Sequence, residues 1–215
     1  MTSTGNDIVA LKAISIARTK QPNFYSRIIT SAERELYYAE LQDQLPFEHF
    51  VWLAWSVKES AYKYLKRFDT GLIFSPSKMR IVELKNTAGN LRGTVLLGDQ
   101  LLYFQSVIHN NFISSIVNDT ADFTETYWDI KRIDFTDPAA QYSAVRELLL
   151  ERLGELFPDS DLQIAKNPNG WPIIVNEDGE LPIPVSFTHH DHFVAYSFQL
   201  TTSLWKAHQH HAEVL

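Results

Sequence analysis

The pattern of apolar and polar positions along the chain predicts three helices and two groups of strands. Residues 5–18 alternate apolar and small side chains, which is typical of a strand followed by a loop. A capping-box pattern that begins at Thr30 predicts a helix over about 31–41. Residues 47–67 contain no glycine or proline and many good helix formers, so a second, longer helix is expected there.

The rest of the chain is predicted to be mostly strand, with one further helix. Glycine and asparagine turns separate four predicted strands, at 78–84, 93–97, 101–108 and 112–117. A short strand at 127–133 precedes a third helix, which Pro138 opens and which runs over about 139–157. Residues 162–200 are then predicted to form strands, with turns at 167–170 and 177–179.

The order of elements repeats itself, which indicates an internal duplication. GNDIVAL at 5–11 is echoed by YWDIKRI at 127–133, and SVKESAYKYL at 56–65 by AVRELLLERL at 144–153. QSVIHNNFISSIV at 105–117 is echoed by VSFTHHDHFVAYSF at 185–198. We therefore predict an α+β fold made of two halves related by a pseudo-twofold axis. Each half, 1–118 and 119–215, has a long helix packed on a small antiparallel sheet, and the halves pack as one unit.

The charge of the chain is unevenly distributed between these halves. The net charge of -7 argues against a nucleic-acid partner. Residues 1–118 hold 13 Lys and Arg against 10 Asp and Glu, whereas residues 119–215 hold 6 against 16. The first half is therefore expected to meet anions, although drift in surface charge explains the same asymmetry.

Composition also limits the types of chemistry that the protein can perform and the cellular compartment in which it is expected. The chain has no cysteine, so disulfides, thiol nucleophiles and cysteine-ligated metals are excluded. No stretch approaches the roughly 20 apolar residues that a membrane helix needs, and the N-terminal residues do not have the pattern of a signal peptide. We expect a cytoplasmic protein without a membrane partner.

The long predicted helix carries the first group of residues with candidate chemistry. Trp55, Glu59 and Lys63 are spaced four residues apart and share one face of the helix, and Lys58 lies next to Glu59. An exposed Glu–Lys pair with no further role explains the same spacing. The strongly apolar surroundings favour a role near the core.

Asp7 is the second candidate, because a carboxylate within an apolar strand needs a partner. One solution is a metal ion shared with Glu59, since Mg²⁺ takes one or two protein carboxylates and completes its shell with water and phosphate oxygens. An aspartate that caps a turn is the alternative on this pattern alone.

The third candidate is the end of the strand at 185–190. Thr188, His189 and His190 offer a hydroxyl, imidazoles and backbone N–H groups, which suit a phosphate. With His192 they also suggest a transition-metal site, to which the tail residues His208, His210 and His211 would add.

Together these segments resemble the 4′-phosphopantetheinyl transferase superfamily. GNDIVAL is similar to the family's G-[IT]-D-x-x strand, and FYSRIITSAERE to its F-x-x-R-x-x-T-x-x-E segment. WSVKESAYK matches W-x-x-K-E-x-x-x-K, and DTGLIFSPSKMRI resembles the segment that follows it. NGWP and VSFTHHDHF are similar to the G-K-P and S-x-S-H motifs of the pseudo-dimeric type, although their order along this chain is reversed. The chain thus looks either circularly permuted or like two holo-[acyl-carrier-protein] synthase units fused in tandem.

The resemblance implies transfer of phosphopantetheine from coenzyme A to a serine of an apo acyl or peptidyl carrier protein, with release of 3′,5′-ADP. It implies Mg²⁺, or Mn²⁺, on Asp7 and Glu59, with these two residues and Lys63 as the catalytic group. Lys58, Lys63, Thr188, His189 and His190 would bind coenzyme A.

The resemblance also implies that Arg27 steers the acidic carrier. A fused pseudo-dimer is expected to act as a monomer.

The sequence departs from the family pattern at several positions. Val9 and Ala10 stand where a further acid is found in the family, and Trp171 replaces the lysine of G-K-P. These departures keep open an alternative, a catalytically inactive coenzyme A-binding homologue or scaffold module.

A mirror site would combine Asp129, Glu147 and His109. Glu151 stands there in place of Lys63, so we predict that this second site is inactive.

Overall fold

A computed structural model describes residues 3–87 and 90–200. The helices are α1 (Ile16–Thr19), α2 (Pro22–Tyr25), α3 (Ser31–Glu40), α4 (Phe47–Lys66) and α5 (Pro138–Leu156), with a 3₁₀ turn at Pro76–Lys78. The strands of the first part of the chain are β1 (Gly5–Ala10), β2 (Met79–Thr87), β3 (Asn90–Leu97), β4 (Gln100–Ile108) and β5 (Phe112–Asn118). They are followed by β6 (Thr126–Arg132), β7 (Gln163–Lys166), β8 (Pro172–Asn176), β9 (Gly179–Leu181), β10 (Val185–His190) and β11 (Phe193–Gln199).

The first part of the chain is a five-stranded antiparallel sheet covered by α4. The strand order is β1-β5-β4-β3-β2. Helix α4 begins directly after Pro46 and continues for 20 residues without a breaker. Its apolar face, which includes Phe50, Leu53 and Val57, is completely buried against the sheet. This burial rather than helix propensity holds α4 in place.

The second part of the chain places α5 against two three-stranded sheets. Their orders are β10-β11-β6 and β7-β8-β9. Asp137 caps α5 by accepting a hydrogen bond from the Ala140 N–H, and Pro138 occupies the first turn, where its missing N–H costs nothing. Leu149 and Leu153 of α5 are fully buried in the core of this part.

Strand β1 joins the two parts. One edge pairs with β5, and the strand also packs against β10 and β11. Ile8 and Ala10 form a small apolar cluster with Phe193 and Ala195. Polar contacts accompany this cluster, since the Asn6 N–H donates to Ser186 Oγ at 3.2 Å.

The structure confirms the predicted long helices and most of the strands. The predicted helices at 31–41, 47–67 and 139–157 each agree with the structure to within one residue at either end. The short helices α1 and α2 were not predicted, because four residues are too few to show a helical period in the sequence. The structure is mixed, with antiparallel sheets and few helices, as an α+β fold requires.

Within residues 3–87 and 90–200, no helix is long and apolar enough to cross a membrane.

We predict opposite effects on stability from two glycine substitutions. A Cβ at Gly5 would lie 2.0 Å from the Ser60 carbonyl oxygen of α4, so Gly5→Ala forces β1 away from the helix. The expected loss is about 1–3 kcal/mol or more in the free energy of unfolding.

Gly154, in α5, is the matched control, because a Cβ there meets nothing within 4 Å. Gly154→Ala should raise stability by about 0.5–1 kcal/mol through helix propensity. Urea titrations of both variants measure the difference, and a neutral Gly5→Ala would contradict the close approach of β1 and α4.

Candidate functional site

Asp7 lies in the middle of β1, and its carboxylate is 7 % exposed. Its Oδ1 atom accepts a hydrogen bond from Thr188 Oγ1 at 3.0 Å and lies 3.4 Å from Lys63 Nζ. Its Oδ2 atom is buried and has no hydrogen-bond partner among the described residues. Such an oxygen is costly to bury, so it marks a place where a cation or a donor is favoured.

Glu59 and Lys63 reach Asp7 from α4. Lys63 Nζ donates to the Asn6 carbonyl oxygen at 2.9 Å and lies 3.8 Å from Glu59 Oε1. Glu59 also accepts a hydrogen bond from the Trp55 indole. The predicted alignment of these residues on one helix face is therefore present, and the face points at β1.

The two carboxyl groups are in an environment that opposes negative charge. Burial raises the pKa of Asp7, and the nearby Lys63 ammonium and the Thr188 hydroxyl offset part of that increase. Burial also raises the pKa of Glu59, where Lys63 again acts in the opposite direction and Asp7 adds to the increase. The pair therefore favours a positive partner.

Strand β10 carries the three candidate site residues that the sequence predicted in the second half, Thr188, His189 and His190. Thr188 contacts Asp7 directly. The Ala10 N–H donates to His190 Nδ1 at 2.9 Å, which leaves the proton of the neutral ring on Nε2. Burial lowers the pKa of His189, and the Lys63 ammonium lowers it further.

Lys58 is the exception among the predicted site residues. Its side chain is 0 % exposed, lies 2.8 Å from Glu33 and donates to the Ile28 carbonyl oxygen at 2.6 Å. Glu33 is equally buried and also accepts from the N–H groups of Thr30 and Ile81. The structure thus assigns Lys58 to a buried ion pair between α3 and α4 and corrects its predicted contact with coenzyme A.

The three residues of the predicted mirror site form no hydrogen bond or ion pair with one another in the part of the chain that the structure describes. Asp129 accepts from the Ile130 N–H, Glu147 from Ser143, and His109 Nδ1 from the Asn111 N–H. Each side chain is engaged with its own sequence neighbours.

The donor set at Asp7 and Glu59 fits a hard divalent cation that shares its shell with a substrate. No group of three or more His, Asp or Glu side chains that could hold a metal occurs within residues 3–87 and 90–200. Two carboxylates, one of which has an unpartnered oxygen, match the one or two that Mg²⁺ takes when phosphates supply the rest.

The alternative histidine site is not supported over the same residues. His190 Nδ1 is engaged with Ala10 and His192 Nδ1 lies 3.0 Å from the Ile133 carbonyl oxygen. His208, His210 and His211 lie outside the described residues.

Two features near the site were not predicted from the sequence. Arg67, one helical turn after Lys63, donates to the carbonyl oxygens of Val185 and Pro172 and lies over the Trp171 ring. Arg67 therefore links the end of α4 to the strands of the second half. Its contact with Trp171 lies at the position where the G-K-P motif has its lysine.

The second feature is a cavity of about 480 Å³ beside the site. Its lining includes Trp52, Trp55, Arg18, Arg27 and His190. Arg27 is exposed. In the sequence, the F-x-x-R segment pointed to Arg27, but nothing indicated the cavity.

A paired-carboxylate site with an adjacent lysine, formed between a long helix and an antiparallel sheet, is suited to phosphoryl-group transfer. The family model of the 4′-phosphopantetheinyl transferase superfamily matches residues 3–124. The chain belongs to this superfamily, whose members are transferases that use coenzyme A and act on carrier proteins. The match includes Asp7, Glu59 and Lys63, whereas Thr188 and His189 lie beyond it.

No curated protein matches the chain.

We predict that the two lysines of α4 differ sharply in their contribution to stability. Lys58→Met leaves the Glu33 carboxylate buried without its counter-ion, so the free energy of unfolding should fall by about 3–5 kcal/mol. Lys63→Met also removes a counter-ion, that of Asp7, but Lys63 is partly exposed and burial already raises the pKa of Asp7, so this acid can take up a proton and the loss should be smaller than for Lys58→Met. Chemical denaturation of both variants measures the difference. A loss under about 1 kcal/mol in Lys58→Met would show that Lys58 and Glu33 do not form a buried pair.

Proposed function

We propose that this protein is a 4′-phosphopantetheinyl transferase of the holo-[acyl-carrier-protein] synthase type, with coenzyme A as donor and a carrier-protein serine as acceptor. The observation that supports this most is the cluster of Asp7, Glu59 and Lys63, to which Thr188 is hydrogen-bonded from the second half. Family membership supplies the reaction class.

We further propose that residues 1–118 and 119–215 are two transferase-like halves with a single active site between them. The orders β1-β5-β4 and β6-β11-β10 support a common plan, with α4 and α5 in equivalent places along the chain. In the first half Lys63 contacts the acids, whereas Glu151 stands at the corresponding place in the second. A carboxylate there repels a pyrophosphate, so the second site is inactive.

Asp7 and Glu59 would hold a divalent ion, Mg²⁺ or Mn²⁺. When bound, such an ion neutralises charge on the pyrophosphate and on the leaving group. Lys63 adds a second positive charge at the same place. Lys63 also favours the ionised form of both carboxylates, because it opposes the rise in their pKa that burial causes.

The chemical step exchanges one phosphorus–oxygen bond for another. The serine oxygen of the carrier bonds to the β-phosphorus of coenzyme A, and the bond to 3′,5′-ADP breaks. Glu59 takes the serine proton at its carboxylate. His189 binds the phosphates of the nucleotide from the second half, and Thr188 positions Asp7 by donating a hydrogen bond from its hydroxyl to Oδ1. An arrangement of this kind works mainly by positioning.

The first test is intact-mass spectrometry of apo carrier proteins after incubation with this protein, coenzyme A and Mg²⁺. We expect one carrier or more to gain a single phosphopantetheine. Glu59→Gln should reduce the rate by at least about 10²-fold, because it removes both a ligand and the base.

Glu147→Gln is the matched control, since Glu147 is the exposed equivalent of Glu59 on α5. It should keep the full rate. Loss of activity in both variants would contradict a single active site. Coenzyme A binding without transfer to any carrier would favour the inactive homologue, and no binding at all would refute the proposed function.

A second test concerns Arg27, which we propose steers the acidic carrier. Arg27→Glu should raise KM for the carrier by about tenfold at low salt and leave KM for coenzyme A unchanged. Arg80→Glu, an equally exposed charge reversal on β2, is the control. An equal effect of both reversals would mean that Arg27 has no special role in docking.

A further inference from the structure

We propose that the Lys63 ammonium occupies the position between Asp7 and Glu59 only until a divalent cation arrives, and that the cation displaces it toward the phosphates of the substrate. The inference rests on the proposed function. It concerns the order in which positive charges enter the site.

The contacts of Lys63 Nζ are uneven. The bond to the neutral Asn6 carbonyl oxygen is 2.9 Å, which is an ordinary length for such a donor. The distances to Asp7 Oδ1 and Glu59 Oε1 are 3.4 and 3.8 Å. Charge-assisted bonds between an ammonium and a carboxylate are usually about 2.7–2.9 Å long. The ammonium therefore compensates both acids without bonding closely to either.

The acids retain oxygen atoms for another cation. Asp7 Oδ1 serves Thr188 and Lys63 together, whereas the buried Oδ2 atom has no partner among the described residues. Glu59 is 29 % exposed, so a cation from solvent can reach it. One carboxylate is thus open to solvent, and the other is buried with an unused acceptor.

Repulsion between positive charges requires the Lys63 ammonium to move when a divalent cation binds. Two carboxylates and one ammonium leave a net charge of -1, and a divalent ion next to an ammonium at a few ångströms is strongly repelled. The Lys63 side chain is 25 % exposed and has a flexible four-carbon stem, so it can turn toward solvent once it gives up its bond to the Asn6 carbonyl oxygen. The displaced ammonium remains close to where the phosphates of coenzyme A would bind.

The experiment measures Mn²⁺ binding by electron paramagnetic resonance, at pH 8.5 and low salt, without coenzyme A or carrier. Because removal of Lys63 removes the competitor, Lys63→Met should bind Mn²⁺ about tenfold more tightly than the wild type. In the same variant, coenzyme A measured by calorimetry with Mn²⁺ present should bind more weakly.

Lys66→Met is the matched control. Lys66 lies on the same helix, but its Nζ atom donates to the carbonyl oxygens of Thr70 and Leu72. It therefore reports the general effect of removing one positive charge, which should be under about threefold. Lys63→Arg keeps the charge and should bind Mn²⁺ no more tightly than the wild type.

Equal or weaker Mn²⁺ binding by Lys63→Met than by the wild type would overturn the proposal, and so would an equal gain in Lys66→Met. If Lys63→Met does not fold, Mg²⁺ titration of the wild type followed by lysine side-chain NMR replaces it. The Lys63 ammonium signal should then shift and the Lys66 signal should not. None of these measurements needs a carrier. If Lys63→Met binds Mn²⁺ more tightly as expected but no carrier is modified by the wild type, the proposed function is refuted and this inference is not.

Discussion

A carboxylate buried within a strand must be compensated, and Asp7 receives its compensation from both parts of the chain. Lys63 comes from α4, which packs on the same sheet, and Thr188 comes from β10, which packs on β1 from the other side. Neither part alone supplies both partners. The position of β1 between α4 and β10 therefore determines whether the site exists, and the close approach of Gly5 to Ser60 keeps β1 against α4.

Two lysines five residues apart on one helix show how burial determines role. Lys58 is enclosed with Glu33, and the hydrogen bonds of this pair tie the start of α3 and, through Glu33, the strand β2 to α4. Lys63 is partly open and is shared loosely between two acids. The first pair fixes the geometry of the helix, and the second leaves a positive charge that can respond to a ligand.

The sequence was sufficient for the long elements and for the alignment of Glu59 and Lys63, because both depend on local spacing. Four-residue spacing placed Glu59 and Lys63 on one face, and a carboxylate in an apolar strand pointed to Asp7. Lys58 was misplaced because it is about 100° away from Glu59 around the helix and falls in the stripe of Ala54, Ala61 and Leu65, all of which are buried. Arg67 was missed because its partners are carbonyl oxygens of distant strands, which no sequence pattern marks.

The proposed duplication explains why charge differs so much between the halves. A symmetric pair of sites needs every residue twice, whereas a fused chain needs only one set of acids and one phosphate-binding strand. The first half keeps Asp7, Glu59 and Lys63 and an excess of positive charge, and the second half keeps Thr188 and His189. Glu151 in place of a lysine is then tolerable, because the proposed anion site lies at the other side of the junction. The strongly negative second half is consistent with a surface that no longer receives a phosphate.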